Sequence, residues 1–267
     1  MAWHPSAVIG ASIILAFILI AVFAPFIAPF DPNAADWMAI REAPSAAHLF
    51  GTDDLGRDIL SRVIFGARAS LSAGIISVVV AIAIGLPLGI VAGYFGRWPD
   101  MLISRFTDAL LACPFLIFAI ALATFLGPSL ENAMIAIGIS AMPVFIRLAR
   151  AQTLVVSAEE YIAAARSQGI GDFAILTQQI LPNVLPPIVV QASLTMAIAV
   201  LAEASLAFLG LGQLPPAPSW GSMLDVARQF MEEAPWMALF PGLAIILVVV
   251  GFNLLGDSLN DILNPRS

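Results

Sequence analysis

The run ASLSAGIISVVVAIAIGLPLGIVAGYFG, residues 69–96, contains no charged side chain from its first residue to its last. About 20 apolar residues in a row allow a helix to cross the hydrocarbon core of a membrane. Lipid offers no hydrogen-bonding partners to the backbone, so a single run of this kind crosses as a helix. Similar uncharged runs lie at about 7–30, 109–130, 132–146, 183–202 and 236–256. We therefore predict an all-α polytopic membrane protein with six transmembrane helices.

Three of these runs need a decision about where their helices end. The run 132–146 covers only about 22 Å at the helical rise of about 1.5 Å per residue. We expect its helix to extend to Arg150, with its arginines reaching the membrane surface. We expect the fifth helix to continue past Glu203 towards Gly210. The first run has no basic stretch before it and is longer than the apolar part of a secretion signal, which favours a retained span.

The composition agrees with a protein that faces lipid. Hydrophobic residues make up 60% and charged residues 11% of the 267-residue chain, whereas soluble domains carry about 25% charged residues. The mean hydropathy is +0.97. The formal net charge of −7 argues against nucleic acid as a partner. All 11 basic residues are arginine. A chain without lysine cannot form the phosphate-binding loop G-x-x-x-x-G-K-[ST], so we expect no ATPase site of its own.

Arginine is unevenly distributed among the short segments that join the runs. If both termini are cytoplasmic, six arginines of short segments lie on the cytoplasmic side, and the outer loop after the fifth run has only Arg228. An excess of basic residues in short cytoplasmic loops is the usual pattern, so we predict this orientation. The six are Arg97, Arg105, Arg147, Arg150, Arg166 and Arg266. The segment 31–68 then lies outside, where acidic residues balance its arginines.

One segment interrupts the apolar pattern: YIAAARSQGIGDFAILTQQILPNVLPP, residues 161–187. Ser157 and Glu160 have the spacing of a capping box, and the alanines that follow are strong helix formers. Gly169 is placed to end this helix, and Asp172 is placed to cap the next one. The segment therefore predicts a short cytoplasmic helix followed by a sharp turn.

The predicted short helix, at about 158–168, has an alanine surface that another protein surface can approach closely. Two uses are open: packing on its own protein, or docking a cytoplasmic partner. The segment resembles the EAA loop in permease subunits of bacterial ABC importers, with the pattern Glu-Ala-Ala, three residues, Gly, nine residues, Ile, one residue, Leu-Pro. The corresponding positions are Ala163, Ala164, Ala165, Gly169, Gln179, Leu181 and Pro182. Ala163 stands in place of the glutamate and Gln179 in place of the isoleucine.

Three longer stretches resemble the dipeptide, oligopeptide and nickel permeases of bacterial ABC importers. They are HLFGTDDLGRDILSRVIFGARASL (48–71), LAEASLAFLGLGQLPPAPSWGSML (201–224) and ALFPGLAIILVVVGFNLLGDSLNDILNPR (238–266). The resemblance implies a type I importer core of five spans at 69–267, preceded by an N-terminal span and an extracytoplasmic segment at 1–68. The chain would be a permease subunit in the bacterial inner membrane, forming half of the pathway for peptides or a related small solute.

The resemblance also implies partners and site residues. The expected partners are a second homologous permease subunit, two ATPase subunits that hold ATP and Mg, an extracytoplasmic solute-binding protein, and membrane lipid. No cofactor or metal is expected on this chain. ATPase coupling is expected at Ala163, Ala164, Ala165, Arg166, Gly169, Leu181 and Pro182. We expect the outer loop to face the binding protein through Leu211, Pro215, Pro216, Pro218, Ser219, Trp220 and Gly221. An anchoring role for Trp220 at the membrane surface is equally open.

Two groups of acidic residues leave alternatives open. Glu203 is the one carboxylate well inside an apolar context, and it would be the coupling site of a secondary transporter driven by an ion gradient. The simpler interpretation is a carboxylate near the outer surface, held by backbone or by an arginine. Asp53, Asp54 and Asp58 loosely resemble a metal cluster. Arg57 among them favours a charge-paired element on the outer surface, with Asp54 on one helix face with Arg57 or Asp58.

Catalytic chemistry inside the membrane is disfavoured. No histidine lies in any predicted span, and no two spans bring aspartates together, which argues against an intramembrane protease. His4 and His48 are far apart and lack the spacing of metal ligands. Cys113 is the single cysteine and is expected to serve in packing.

Overall fold

The computed structural model describes residues 5–263, and the statements below refer to that part of the chain. Arg266 and His4, considered above, lie outside the described residues. The helices are α1 Pro5–Ile27, α2 Ile59–Phe95, α3 Arg97–Leu111, α4 Phe115–Leu126, α5 Leu130–Ser157, α6 Glu160–Ser167, α7 Asp172–Ile175, α8 Leu181–Phe208, α9 Trp220–Ala227 and α10 Trp236–Leu263. A π-helical turn, Leu176–Ile180, joins α7 to α8, and a 3-10 turn, Arg228–Phe230, follows α9.

Five helices are long and apolar enough to cross a membrane, and α3 with α4 forms a sixth, bent candidate. The five are α1, α2, α5, the continuous helix 172–208 and α10. The predicted all-α membrane fold is therefore confirmed. The predicted extensions are also confirmed, because α5 continues past Arg150 to Ser157 and α8 continues past Glu203 to Phe208.

The third predicted span, at 109–130, is a bent pair of helices and not one continuous helix. Helices α3 and α4 meet at 91°. The break falls at residues 112–114 because Pro114 has no amide hydrogen to donate and disfavours helical backbone at Cys113. Pro114 itself has an extended conformation, with ψ of 133°. The chain therefore turns sharply where the sequence suggested one continuous apolar helix.

Helix α3 is tied to α5 through two ion pairs. Arg150 pairs with Asp100 through both its Nε and its Nη2 atoms, the second at 2.8 Å from Oδ2. Arg147 Nη2 lies 2.7 Å from Asp108 Oδ1. The two arginines that were expected to reach the membrane surface are thus paired with acids of α3.

The core of the protein is built on close contact between α2 and α5. Glycines of α2 have no side chain to keep the two helices apart. Small residues allow the same close approach between membrane helices in general. A Cβ atom added at Gly89 would lie 2.5 Å from the carbonyl oxygen of Ile146 and 2.6 Å from Ala149 Cβ. Residues of α1, α8 and α10 join the same hydrophobic cluster.

The segment between α1 and α2 folds around ion pairs, as predicted. Arg57 Nε lies 2.7 Å from Asp53 Oδ2, and Arg57 Nη2 lies 3.4 Å from Asp54 Oδ1. Arg62, in the first turn of α2, also reaches Asp53 at 3.4 Å and donates to the carbonyl oxygen of Pro32 at 2.8 Å. These contacts anchor the segment to the start of α2.

The expected shared helix face for Asp54 is wrong, because these aspartates precede α2. They lie in a turn that a bridge between Thr52 and Asp58 closes. Asp58 is the N-cap of α2, and its Oδ2 accepts from the Ser61 amide at 2.8 Å. Its Oδ1 lies 3.0 Å from His48 Nδ1. The aspartate therefore begins α2, a helix of 37 residues.

Candidate functional site

The short helix predicted near 158–168 is present as α6, but it begins at Glu160. The predicted capping box is wrong, because Ser157 is still the last residue of α5. Glu159 occupies the N-cap position without a side-chain hydrogen bond to the helix. The amide of Glu159 donates to the carbonyl of Val156, which continues the last turn of α5 almost to the start of α6.

The two faces of α6 have different surroundings. Ile162 and Ala165 are buried, at 0% and 4% exposure, and belong to the hydrophobic core. Ala163 and Ala164 are exposed on the outer side. The predicted alanine surface therefore consists of two alanines, while Ala165 packs inward. The buried face holds the helix in position, and the exposed face carries the small side chains of Ala163 and Ala164.

Gly169 ends α6 in the way that the sequence predicted. Its φ is +78°, in the left-handed region that favours glycine. Its amide donates to the carbonyl of Arg166 at 3.0 Å, and the amide of Ile170 donates to the carbonyl of Ala165 at 3.1 Å. This pair of bonds is the Schellman motif. No atom lies within 4 Å of a Cβ added there, so the backbone conformation, not space, requires glycine.

Tyr94, at the end of α2, is a residue that the sequence interpretation missed. Its hydroxyl donates to Asp172 Oδ1 at 2.6 Å, and the Arg166 guanidinium lies 4.9 Å from its ring centroid. Asp172 therefore does not cap the following helix as predicted; the N-cap is Gly171. The available signal was a tyrosine, one of only two in the chain, at the end of a long apolar run.

The remaining EAA positions lie at the π-helical turn and just beyond it. Leu181 is half-buried and Pro182 is exposed. Pro182 has no amide hydrogen, so the α-helical bond to the carbonyl of Gln178 cannot form, which suits a π-helical turn at this point. Ile180 is fully buried beside Gln179, whose position the motif assigns to isoleucine.

At the other end of α8, the predicted outer loop is divided between exposed and buried residues. Pro215 and Pro216 are exposed, and Leu211 is half-buried. The four later residues are buried: Pro218, Ser219, Trp220 and Gly221. Only the first part of the loop is thus open to a partner.

An anchoring role for Trp220 at the membrane surface is wrong, because its side chain is 0% exposed. Its Nε1 donates to the carbonyl of Val63 at 3.0 Å, and its amide donates to Ser70 Oγ at 3.3 Å. Phe17 of α1 contacts its ring edge-on, with the centroids 5.6 Å apart. Trp220 therefore joins α9 to α2 and α1.

Glu203 lies beside this tryptophan in the packed interior, with 0% exposure. Ser70 Oγ donates to Glu203 Oε2 at 3.0 Å. The carboxylate is held by a serine hydroxyl of α2, and not by the arginine or backbone partner that the sequence suggested. It connects α8 with α2 at the end opposite to α6.

Comparison with known proteins places these features in a family. Residues 85–267 match the family described as the binding-protein-dependent transport system inner membrane component. Residues 3–44 match the N-terminal TM domain of oligopeptide transport permease C. Together the two matches begin before α1 and include α6, α8 and α9.

Curated relatives match over nearly the whole chain. The dipeptide transport system permease protein DppC of Alkalihalophilus pseudofirmus is 50% identical, over 97% of this chain and 86% of the relative. The glutathione transport system permease protein GsiD of Pectobacterium atrosepticum is 46% identical, over 97% and 87%. The probable D,D-dipeptide transport system permease protein DdpC of Escherichia coli is 44% identical, over 98% and 88%.

The fold is also similar to that of a solved structure. An inward-facing conformation of the MetNI methionine ABC transporter matches with a TM-score of 0.62 and 21% identity. The match covers 77% of this chain and 98% of the matched chain. The protein therefore belongs to the family of binding-protein-dependent inner-membrane permeases, the membrane-spanning subunits of ABC importers.

Proposed function

We propose that this chain is the permease subunit of an ATP-driven importer of small peptides, and that α6 is the point where a partner ATPase subunit docks. The observation that supports coupling most strongly is the uncovered face of Ala163 and Ala164 on a helix whose opposite face is buried. Small side chains allow a partner to approach the α6 backbone closely. The buried face keeps that surface in one position.

The short length of α6 makes its supports important. An isolated helix of fewer than about 12 residues is marginal in water, and α6 has 8 residues. Ile162 and Ala165 hold it on the core side, Gly169 ends it, and Arg166 rests on Tyr94. We propose that these contacts stabilise α6 as a rigid helix, so that it moves as a unit when a partner docks on it.

The continuous helix 172–208 provides the route from α6 into the membrane. It starts at Asp172, close to the Gly169 turn, and reaches Glu203 in the packed interior. When the ATPase subunits close on ATP, the docked α6 is displaced, and the rigid helices switch the passage between outward and inward openings. The ATP and Mg belong to the partner subunits in this proposal.

The arginine distribution supports a proposed orientation. We propose that both termini and α6 are cytoplasmic, so that the segment between α1 and α2 and the exposed Pro215 and Pro216 lie outside. A solute-binding protein would contact that outer side, and a second homologous permease subunit would complete the passage.

The solute class is proposed from the relatives. Two are described as permeases for dipeptides and one as a permease for glutathione, which is also a small peptide. The solutes named for all three relatives share a short peptide backbone and differ in their side chains. The comparisons give no support to the ion-gradient alternative, and Glu203 is hydrogen-bonded to Ser70 in the packed interior.

Coexpression with the partner subunits tests the coupling proposal. The affinity-tagged chain should retain an ATPase subunit and support uptake of radiolabelled dialanine in the presence of the binding protein. Ala164→Arg should abolish uptake and release the ATPase subunit, because the bulky charge blocks close approach. Ala164→Ser is the matched control and should keep both properties.

Two results would overturn the proposal. Normal uptake by Ala164→Arg at normal protein abundance would make α6 an ordinary surface helix. Failure of any ATPase subunit to copurify with the wild-type chain would remove the ATP-driven mechanism itself.

A further inference from the structure

Two adjoining cavities open along α5 and α8, away from α6, Glu203 and the outer loop. The first has a volume of about 420 Å³ and lies against the bend between α3 and α4. The second has a volume of about 360 Å³ and continues towards Pro186 and Pro187. Gln191 of α8 lines both. We call the two together the α5–α8 groove.

Polar side chains line part of the groove, and all of them belong to candidate membrane spans. Gln191 Nε2 donates to Thr195 Oγ1 at 3.2 Å, midway along α8. Gln152 and Asn260 add amide groups to the lining, and Ser140 adds a hydroxyl. Lipid cannot satisfy the remaining donors and acceptors of these amides, and polar side chains within spans face protein or water. A lipid-covered groove is therefore the least favourable arrangement for this surface.

The lining is uncharged, and in the first cavity it is mainly apolar. Within the described residues, neither cavity is lined by an aspartate, glutamate, arginine, lysine or histidine. Apolar side chains, including Phe115, Phe118 and Ile198, complete the first cavity. Its volume falls in the range of about 300–1,000 Å³ that is usual for small-ligand pockets. Such a lining suits a ligand whose backbone forms hydrogen bonds and whose side chains vary.

We infer that the α5–α8 groove is this chain's wall of the solute passage, and that Gln191 and Thr195 form hydrogen bonds with the peptide backbone of the passing solute. The inference rests on the proposed function and adds the contact residues to it. A neutral amide binds either end of a zwitterionic peptide without holding it by fixed charge. Passage requires such contacts to be weak enough to release the solute.

Cys113 makes the groove testable with the native chain. It is the single cysteine of the chain, and it lines the first cavity at the bend between α3 and α4. A thiol reacts as the thiolate, which forms readily in water and poorly in apolar surroundings. A water-filled passage should therefore expose Cys113 to a charged thiol reagent, whereas lipid or a tightly packed subunit should shield it.

The labelling experiment uses the complete importer in unsealed membranes. It is carried out in two nucleotide states: without nucleotide, and with ATP held unhydrolysed on the ATPase subunits. The probe is a trimethylammonium-ethyl methanethiosulfonate, and modification of this chain is followed by its mass. The control is a cysteine introduced by Val22→Cys in a Cys113→Ser background, because Val22 lies exposed on α1 and should face lipid. Cys113 should be modified at least about tenfold faster than this control cysteine. Modification of Cys113 should also block dialanine uptake.

Shielding of Cys113 in both nucleotide states would overturn the inference. If the thiol reacts only in the isolated chain, the groove is a packing surface for the second permease subunit, which also overturns it. These outcomes do not depend on the solute, so they remain distinct from failure of the proposed function, where no ATPase subunit copurifies or dialanine is not imported.

A substitution tests the named contacts. Gln191→Leu with Thr195→Val should lower the rate of dialanine uptake about tenfold or more, because amide and hydroxyl partners are lost. The ATPase subunit should still copurify with the double variant, since both substituted residues line the groove and lie outside α6. Thr124→Val is the control: its hydroxyl bonds within α4 and is exposed outside the groove. Wild-type uptake by the double variant would remove Gln191 and Thr195 from the passage.

Discussion

Ser70 donates a hydrogen bond to Glu203 across 3.0 Å, and both residues lie in the packed interior between α2 and α8. The same hydroxyl oxygen accepts from the amide of Trp220 at 3.3 Å. Ser70 of α2 thus connects α2 with α8 through Glu203, and with α9 through Trp220. A buried carboxylate is costly in apolar surroundings, so its partner is important for stability.

Ser70→Ala should lower the free energy of unfolding by about 1–3 kcal/mol, because it leaves a buried acceptor without its donor. Denaturant unfolding of the purified chain in detergent measures this. Ser72→Ala is the matched control, since Ser72 is half-buried and bonds only to Ala69 of its own helix. Equal stability of the two variants would show that the Ser70–Glu203 bond contributes nothing.

The contact between α2 and α5 leads to a second prediction. Gly89→Ala should destabilise the protein by about 1–3 kcal/mol, because the new methyl group overpacks the interface with Ile146 and Ala149. Gly242→Ala in α10 is the control, because no atom lies within 4 Å of a Cβ added there. Unfolding under the same conditions compares them. The prediction is wrong if Gly89→Ala unfolds no earlier than Gly242→Ala.

The turn after α6 depends on backbone conformation. Gly169→Ala should raise the free energy of the turn after α6 by about 1–2 kcal/mol, because an alanine must adopt a left-handed conformation there. We expect reduced dialanine uptake at unchanged protein abundance. Gly171→Ala should behave as wild type, since Gly171 has a φ of −67° that any residue adopts. A defect of equal size in both variants would mean that the left-handed turn is not the cause.

Tyr94 leads to a prediction that needs no transport assay. Tyr94→Leu should increase tryptic cleavage after Arg166, because the guanidinium loses its ring and Asp172 loses its donor. Tyr94→Phe should have a smaller effect, since the ring remains. Tyr161→Phe is the control, because the Tyr161 hydroxyl has only a long contact with Asn183, at 3.4 Å. Unchanged cleavage in Tyr94→Leu would mean that α6 is held without Tyr94.

The orientation is tested by labelling single cysteines in a Cys113→Ala background. Leu214→Cys should react with an impermeant thiol reagent in intact cells, and Ser167→Cys should react only after the cells are opened. Leu214 is the suitable outer position because it is 48% exposed, whereas Ser219 is buried. Reaction of Ser167→Cys in intact cells would invert the proposed topology.

The parts of the fold that could be predicted are those set by local sequence. Uncharged runs located the spans, and Gly169 marked the end of α6, because length, charge and backbone freedom act within a few residues. The bend at Pro114 was missed because an apolar run hides a break when hydropathy alone is considered. A proline in such a run was the available signal.

Tertiary contacts explain the errors at the candidate site. Trp220 has the composition of a membrane-surface residue, yet α2 and α1 enclose it completely. Asp172 follows a glycine turn as a cap would, yet Tyr94 takes its carboxylate. Their partners are far away in sequence, so spacing along the chain could not reveal them.

The π-helical turn Leu176–Ile180 sets the rotational phase between the two halves of the helix 172–208. A π turn adds a residue to a regular α-helix, and one residue corresponds to a rotation of about 100° and an advance of about 1.5 Å. Removing one residue there would turn Gln191 away from the groove if the Gly169 end stayed in place. The one-residue offset therefore fixes the orientation of two surfaces relative to each other: the exposed face of α6, and the side of α8 that lines the α5–α8 groove.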